Sequence, residues 1–391
     1  MTPEKRSAPD RVDRPRWPGR PGVRLLTLAV LAALAGVAAF AWWDQAGAAS
    51  TPFAAEIARL SEPGGDFGGD NLISNEQSYL RVLPALGRSG ATGGGYVGVG
   101  PDQNFSYIAR VRPEVAFLID IRRDNLLLHL LFKAIFELAP TRVEYLCLLT
   151  GRAPPADPGG WRDAPVARLV AHVDGAARWT ADEAARRARA IDEAIGRTGV
   201  GLSAADLATI HRFHRAFMTD GLDLVFQARG QPRRWYYPVL RDLLLETDGA
   251  GAPGSFLATA GGYDVVRSLE GRDRVIPIVG DLAGPKALRA IGRALADRGL
   301  TLSALYVSNV EYYLFREGRF GAFAANLASL PRSDRSVIIR SVFPSGFRGP
   351  LPGADPDHYS ASLLQSLPSM LDDLAAGRYR RYGDLIAASV R

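Results

Sequence analysis

The chain has little cysteine, and signatures of several common protein classes are missing from it. Cys147 is the only cysteine among 391 residues, which excludes an intramolecular disulfide and a cysteine metal site. No Gly-x-Ser-x-Gly sequence occurs, so the nucleophile elbow of a Ser-His-Asp hydrolase is absent. About half of the net charge of +6 comes from the amino-terminal leader, so the body is only weakly basic. We therefore expect no nucleic-acid partner.

The amino terminus carries a basic leader followed by a long uncharged run. Residues 1–24 contain seven basic side chains, and residues 25–43 form an apolar stretch of 19 residues. As a helix this stretch would be about 28 Å long, which is enough to cross a bilayer. The charge bias predicts a single-pass signal anchor in the cell membrane, with a cytoplasmic amino terminus and an extracytoplasmic body. The alternative is cleavage of a signal peptide near residue 48, which would give a secreted or periplasmic protein.

A glycine turn between two predicted strands is the strongest sign of a binding site. The segment 96–119 predicts a strand, a helix and a second strand, with Gly98 and Gly100 in the first turn. The pattern is Gly-x-Gly-x-x-Gln, so the third glycine of the dinucleotide fingerprint is missing. Asp120 follows Gly98 by 22 positions, close to the spacing of roughly 20 at which a carboxylate meets a ribose hydroxyl. The segment predicts a site for a small-molecule ligand; the alternative is a βαβ unit whose glycines serve only the turn.

A second block places more polar residues after apolar strands. Further strands are predicted at Val275–Val279, Leu302–Val307 and Ser336–Ile339. Asp281 follows the first of these strands, and Ser308 and Asn309 follow the second. Strands that alternate with helices of ten or more residues indicate a parallel sheet covered on both faces. Ligands bind such sheets at the carboxyl ends of the strands, where these polar residues lie.

With these motifs, the chain resembles the class I S-adenosylmethionine-dependent methyltransferase superfamily. More narrowly, it is similar to an uncharacterised bacterial family with that Rossmann-like core. The resemblance covers residues 70–149 and 256–340. The acidic residue usual at the start of the first-strand motif is absent, because Gly94, Gly95 and Tyr96 occupy that region.

The resemblance implies a role for each strand end, with S-adenosylmethionine as the cofactor. The glycine turn would contact the methionine part, Asp120 the ribose hydroxyls and Asp281 the adenine amino group. The residues expected to bind the cofactor are Gly98, Gly100, Asp120, Asp281 and Ser308. Asn309 and Glu311 would face the methyl acceptor as catalytic residues, although Asn309-Val310-Glu311 differs from the Asn-Pro-Pro-Tyr type of catalytic tetrad.

A polar segment lies upstream of the glycine turn, with Asp70, Asn71, Asn75 and Glu76 within seven positions. Ser74 followed three residues later by a glutamine predicts a capped helix start. The alternative is a lid or substrate-binding segment whose Asn75 and Glu76 reach into the same cleft.

Between residues 151 and 254 the chain leaves the strand pattern. Thr180 and Ser203 each begin a capping-box sequence and predict two helices of a helical insertion. His211 and His214 share one face of the second helix and could bind one metal ion. No carboxylate flanks them at helical spacing, so we expect packing or polar contacts there and no metal site.

Together these patterns predict an α/β domain, residues 50–391, with a Rossmann-like parallel-sheet sandwich of class I methyltransferase type. A helical insertion at about 151–254 and an amino-terminal transmembrane helix complete the predicted organisation. The first functional hypothesis is methyl transfer from S-adenosylmethionine to an unknown acceptor. The alternative is a non-catalytic extracytoplasmic binding or structural module that retains the fold. Extracytoplasmic placement conflicts with a cofactor that is made and kept in the cytoplasm, so both hypotheses stay open.

Overall fold

A computed structural model describes residues 51–69, 71–228, 232, 234–344 and 358–389. The predicted basic leader, the predicted membrane segment and Asp70 lie outside these described residues. Within the described part of the chain, no helix is both long and apolar enough to cross a membrane. The architecture is mixed α/β, with fifteen described α-helices around a six-stranded sheet.

The sheet is mostly parallel. Its strands are β1 (Gly95–Val99), β2 (Val115–Asp120), β3 (Val275–Val279), β4 (Leu302–Tyr306), β5 (Arg332–Val342) and β6 (Ala361–Ser366). They lie in the order β3-β2-β1-β4-β5-β6, and only the β5–β6 pair is antiparallel. Successive strands are added on one side of β1 up to β3 and on its other side from β4 onward, so the strand order switches between β1 and β4. This order is compatible with a Rossmann-like fold. All five strands predicted from the apolar runs are confirmed.

Most of the helices precede β3. They are α1 (Pro52–Leu60), α2 (Leu83–Arg88), α3 (Gln103–Val111), α4 (Arg123–Leu138), α5 (Arg142–Thr150), α6 (Val166–Gly175), α7 (Ala181–Arg197), α8 (Ala204–Asp220), α9 (Leu240–Leu245) and α10 (Ala260–Gly271). The later helices are α11 (Ala287–Ala296), α12 (Val310–Arg316), α13 (Phe320–Ala328), α14 (Leu367–Ala375) and α15 (Tyr382–Ser389). Helices α4 to α10 lie between β2 and β3, and α6 to α9 fall within the bounds of about 151–254 given for the predicted helical insertion.

The core strands are buried on both faces, as expected for a parallel sheet covered by helices. Every residue of β1, β3 and β4 is buried. Helix α3 packs against β1 and β4, and α4 packs against β2 and β3. Because β1 to β5 run in the same direction, their carboxyl ends share one edge of the sheet. The strand-end residues Val99, Asp120, Val279 and Tyr306 therefore lie along this edge.

Local capping signals predict some helix starts correctly and one incorrectly. The capping boxes begun by Thr180 and Ser203 are both present at the starts of α7 and α8. The helix predicted to begin at Ser74 is wrong, because the next helix begins only at Leu83. Ser74 Oγ instead accepts a hydrogen bond from the Glu76 backbone N–H at 3.1 Å. Such a local bond offers the backbone an alternative to a helix.

A buried carboxyl group in the helical layer links stability to pH. Glu270 of α10 is 3% exposed, and its Oε1 has no hydrogen-bond partner. Lys133 of α4 places its Nζ 3.8 Å from Glu270 Oε2. Burial raises the pKa of Glu270 to about 8; Lys133 opposes this shift and Asp273 adds to it. The folded protein therefore holds a proton on Glu270 near neutral pH that the unfolded chain releases.

We expect the contribution of Glu270 to the free energy of unfolding to fall as the pH rises from 4.5 to about 8. Glu270 should contribute at most about 1.4 kcal/mol per pH unit, because only the folded state binds its proton in this window. Glutamine cannot titrate, so Glu270→Gln removes this contribution. The free energy of unfolding of the variant, measured with urea across this range, should lack the decrease with pH that Glu270 causes. The exposed Glu193→Gln on α7 is the control and should keep the wild-type slope. Equal slopes for Glu270→Gln and wild type would contradict the expectation.

Candidate functional site

One cleft lies at the carboxyl edge of the sheet and draws on the ends of β1 to β4. It encloses about 710 Å³, including its opening to solvent. The cleft brings together seven of the nine predicted site residues: Asn75, Glu76, Gly100, Asp120, Asp281, Ser308 and Asn309. Gly98 and Glu311 do not line it.

Gly98 serves the packing of the turn and does not line the cleft. A Cβ on Gly98 would lie 1.9 Å from Asn104 Oδ1 and 2.7 Å from the Tyr96 hydroxyl. Asn104 is fully buried, and its Nδ2 donates to the carbonyl oxygens of Val99 at 2.9 Å and Pro101 at 2.8 Å. The missing side chain of Gly98 thus makes room for the amide that holds the turn together. The cofactor contact predicted for Gly98 is not what this geometry shows.

Gly100 does line the cleft, and it is held from behind by His129. Its φ of +83° lies in the left-handed region that favours glycine. His129 Nε2 lies 2.9 Å from the Gly100 carbonyl oxygen, and burial lowers the pKa of His129 to about 4. Because a carbonyl only accepts, the neutral ring carries its proton on Nε2 and donates it to Gly100. His129 is 2% exposed and positions the turn.

Asp120 ends β2 in the cleft and is paired within its own loop. The backbone N–H and the Nε of Arg122 donate to Asp120 Oδ1 at 2.9 and 3.1 Å. Arg122 Nη2 donates to Oδ2 at 2.9 Å, and Arg122 is 4% exposed. Charge-assisted bonds of this two-pronged kind are among the stronger ones in proteins. The side chain predicted to hold ribose hydroxyls is therefore fixed in position before any ligand binds.

Asp281, after β3, has a similar arginine partner but is more open. Arg319 Nη2 donates to Asp281 Oδ2 at 2.5 Å, and the Ala283 N–H donates to Oδ1 at 2.8 Å. The Asp281 side chain keeps 25% of its surface exposed. Neither arginine partner follows from the strand pattern, although Arg122 stands only two residues after Asp120.

Glu76 is the most deeply buried carboxyl group in the cleft. It is 1% exposed and accepts hydrogen bonds from Tyr306 at 2.5 Å and from the hydroxyls of Ser308 and Ser341. Burial raises the pKa of Glu76, and its three hydroxyl donors oppose the shift. Ser308 has a φ of +51°, an uncommon conformation for a residue with a side chain. Its interaction with Glu76 accompanies this backbone strain.

The segment that carries Glu76 runs along the carboxyl edge of the sheet. We call residues 61–69 and 71–78 the edge segment. Its Gly65 N–H donates to the Ile121 carbonyl at 2.7 Å, and its Glu62 N–H donates to the Val279 carbonyl at 2.9 Å. Ser78 Oγ lies 2.9 Å from Ser360 Oγ near β6. The edge segment thus forms a wall of the cleft, and its Asn75 and Glu76 line the cleft. A binding or lid role for these two residues stays a prediction.

Aromatic side chains complete the wall. The rings of Phe67 and Tyr313 meet edge to face with centroids 5.4 Å apart. Phe226, from the helical region between β2 and β3, lines the cleft as well. The site therefore combines apolar ring surfaces with a few polar groups, as small-molecule sites do.

Glu311 lies away from the cleft, in a buried ion pair. Its Oε2 accepts from Arg340 Nε at 2.6 Å, and the two side chains are 1% and 0% exposed. Arg340 also donates to Gln365 Oε1 at 2.8 Å. Glu311 is committed to this pair and has no access to the cleft. The catalytic role predicted for it from its closeness to Asn309 is corrected accordingly.

The two histidines of α8 have separate polar partners. His211 Nε2 lies 2.7 Å from Asp192 Oδ1, and His214 Nε2 lies 3.0 Å from the Leu148 carbonyl oxygen. In the part of the chain that the structure describes, no group of three or more His, Cys, Asp or Glu side chains could hold a metal ion.

Comparison with protein families identifies a related domain. A family model described as a domain of unknown function, DUF7790, matches residues 72–154 and 178–390, more than half of the chain. No curated protein matches the sequence.

We expect Gly98→Ala to destabilise the protein by about 1–3 kcal/mol, because the new methyl group would overlap Asn104. Gly261→Ala on α10 is the matched control, since nothing lies within 4 Å of a Cβ there. In a helix that change is expected to be neutral or stabilising. Denaturant unfolding of the two variants compares them directly. A stable Gly98→Ala protein with impaired ligand binding would instead support the original cofactor contact.

We expect Glu311→Ala to lower the free energy of unfolding by about 3–5 kcal/mol, because it leaves Arg340 buried without its carboxylate. Asp264→Ala removes the partner of Arg162 in an ion pair whose side chains are 41% and 63% exposed. That control should cost at most about 1 kcal/mol. Thermal and urea unfolding measure both effects. A folded Glu311→Ala protein of wild-type stability would show that the pair is not structural.

Proposed function

The chain belongs to the DUF7790 family, a domain of unknown function, and we propose that its cleft binds S-adenosylmethionine for transfer of a methyl group to an unidentified acceptor. One observation carries the proposal. The strand-end residues that the methyltransferase resemblance singles out, Gly100, Asp120, Asp281, Ser308 and Asn309, line one cleft. The strand order, which matches that of a Rossmann-like core, supports the same proposal.

The carboxylates of the cleft keep capacity for a nucleoside. A carboxylate accepts about four hydrogen bonds. Asp120 accepts three from Arg122, which leaves one position, on Oδ2, for a ribose hydroxyl. Asp281 accepts from Arg319 and from Ala283, so two positions remain for an adenine amino group. The residues therefore fit the nucleoside part of the cofactor, with less room at Asp120 than an unpaired carboxylate would offer.

The turn after β1 favours a ligand without phosphates. Dinucleotide folds bind the pyrophosphate through N–H groups at the start of the first helix. Here Pro101 has no N–H to offer, and Asp102 places a carboxyl group at the start of α3. Asp120, Asp281 and Glu76 add carboxyl groups along the cleft. These features disfavour a dinucleotide and suit a ligand that carries a sulfonium and an amino group.

When bound, S-adenosylmethionine supplies an electrophilic methyl group, so the protein's own part is alignment and electrostatics. Ser308 and Asn309, which follow β4, would face the acceptor. Asn75 and Glu76 of the edge segment form the opposite wall and would keep water away from it. The aromatic rings of Phe67 and Tyr313 offer flat apolar surface to a purine or an acceptor.

A non-catalytic binding or structural module is the second candidate function. The observation that favours it is the close cover over the end of β2. A Cβ on Gly65 would lie 2.7 Å from Ile121 Cδ1, and Gly65 also bonds the Ile121 backbone. Together with the two arginine–carboxylate pairs, this cover means that many of the groups that a cofactor would contact already have partners within the protein. The predicted membrane anchor with an extracytoplasmic body fits this module better than methyl transfer, and it stays a prediction.

Calorimetric titration of the full chain with S-adenosylmethionine and its demethylated product, S-adenosylhomocysteine, tests the proposal. We expect both to bind the wild type. Asp281→Ala should weaken binding by about tenfold or more, because it removes the acceptor for the adenine amino group. At position 120, Asp120→Asn is a better test variant than Asp120→Ala, because the amide oxygen of asparagine still accepts from the buried Arg122.

Asp174→Ala is the matched control, because it breaks an arginine–carboxylate pair with Arg241 outside the cleft. It should leave ligand affinity unchanged, and thermal unfolding of each variant checks the fold. Absence of binding at millimolar ligand with a folded wild-type protein would reject the cofactor and leave the module.

A further inference from the structure

A chain of hydrogen bonds sets the orientation of the Gln103 side chain at the start of α3. The Tyr306 hydroxyl donates its only proton to Glu76 Oε2 at 2.5 Å. The Tyr306 oxygen can then only accept from Gln103, whose side-chain nitrogen Nε2 lies 3.2 Å away. If the amide were flipped, Gln103 Oε1 and the Tyr306 oxygen would face each other as two acceptors without a proton between them. The network therefore turns Gln103 Nε2 toward Tyr306 and Oε1 away from it.

The outcome is a buried acceptor without a donor at the cleft. Gln103 lines the cleft and is 6% exposed, and its Oε1 has no hydrogen-bond partner. Asn71 of the edge segment also lines the cleft, and its Oδ1 lacks a partner too. A buried acceptor left unpaired costs free energy comparable to a lost hydrogen bond. A ligand group that carries N–H donors removes this cost, whereas a carboxylate or phosphate placed there adds to it.

We propose that Gln103 Oε1 binds the amino group at the aminoacyl end of the cleft's ligand, with Tyr306 as the positioning residue that fixes the amide. The inference rests on the proposed function and names the contact that selects an amino-bearing ligand. Gln103 occupies the position at which the dinucleotide fingerprint has its third glycine. In this proposal the glutamine that replaces the glycine helps to select the ligand. The ammonium group then meets an oriented amide carbonyl.

Two ligands that differ in a single group test the inference. They are S-adenosylhomocysteine and its analogue in which hydrogen replaces the α-amino group. Calorimetry on the full-length wild type should show at least a tenfold preference for the amino-bearing ligand. Gln103→Met keeps the side-chain length and removes the acceptor, so this preference should disappear while the affinity for the deamino analogue stays within about twofold. Tyr306→Phe frees the amide to flip and should lose part of the preference.

Gln77→Met is the matched control, because Gln77 lies in the edge segment outside the cleft. It should keep the wild-type preference. Equal binding of the two ligands by the wild type, or equal weakening of both by Gln103→Met, would overturn the role of Gln103. Failure of both ligands to bind the folded wild type would instead reject the proposed function, and this inference with it.

Discussion

Two buried carboxyl groups, Glu62 and Glu76, hold the edge segment against the carboxyl ends of the strands. Glu62 accepts hydrogen bonds from the backbone N–H groups of Asp281, Lys286 and Ala287. It therefore satisfies free N–H groups at the start of α11, where the helix dipole favours a negative charge. Glu76 accepts from hydroxyls at the ends of β4 and β5. Burying a carboxyl group is unfavourable unless several donors meet it, and both residues satisfy this condition.

This attachment decides what kind of cleft the sheet can offer. In an open doubly wound sheet the strand ends would face solvent, but here a wall of the cleft comes from the chain that precedes β1. The cleft is therefore lined on one side by Asn75 and Glu76 and on the other by the strand-end residues. Its shape depends on the two carboxyl groups as much as on the sheet.

The charges within the cleft are mostly balanced inside the protein. Asp120 and Asp281 each have an arginine partner, so the electrostatic attraction that they exert on a cationic ligand is weakened. Recognition then depends on the acceptor positions that remain, on the ring surfaces and on the oriented amide of Gln103. Such a site selects by hydrogen-bond pattern more than by net charge. This is consistent with the proposed nucleoside ligand, and it also limits how many contacts that ligand can make.

Residues that are close in sequence have different roles once the chain folds. Asn309 lines the cleft, whereas Glu311 pairs with Arg340 in the core. Sequence spacing alone placed both beside the acceptor. Two positions at a helix start differ in direction by about 200°, so the two side chains point to nearly opposite sides. The choice between cleft and core depended on the presence of a buried arginine on β5.

The sequence by itself determined the strands, two capped helix starts in the insertion and the edge at which polar residues gather. Apolar runs, capping residues and strand direction act over a few residues, so a local pattern is enough to predict them. Tertiary structure alone decided the partners: Glu62 at a helix more than two hundred residues away, Arg122 on Asp120, and Asn104 in the space left by Gly98. It also decided that the Ser74 segment is an edge wall and not a helix. Those outcomes depend on which polar groups are buried next to one another in the folded chain. A local sequence pattern does not contain that information.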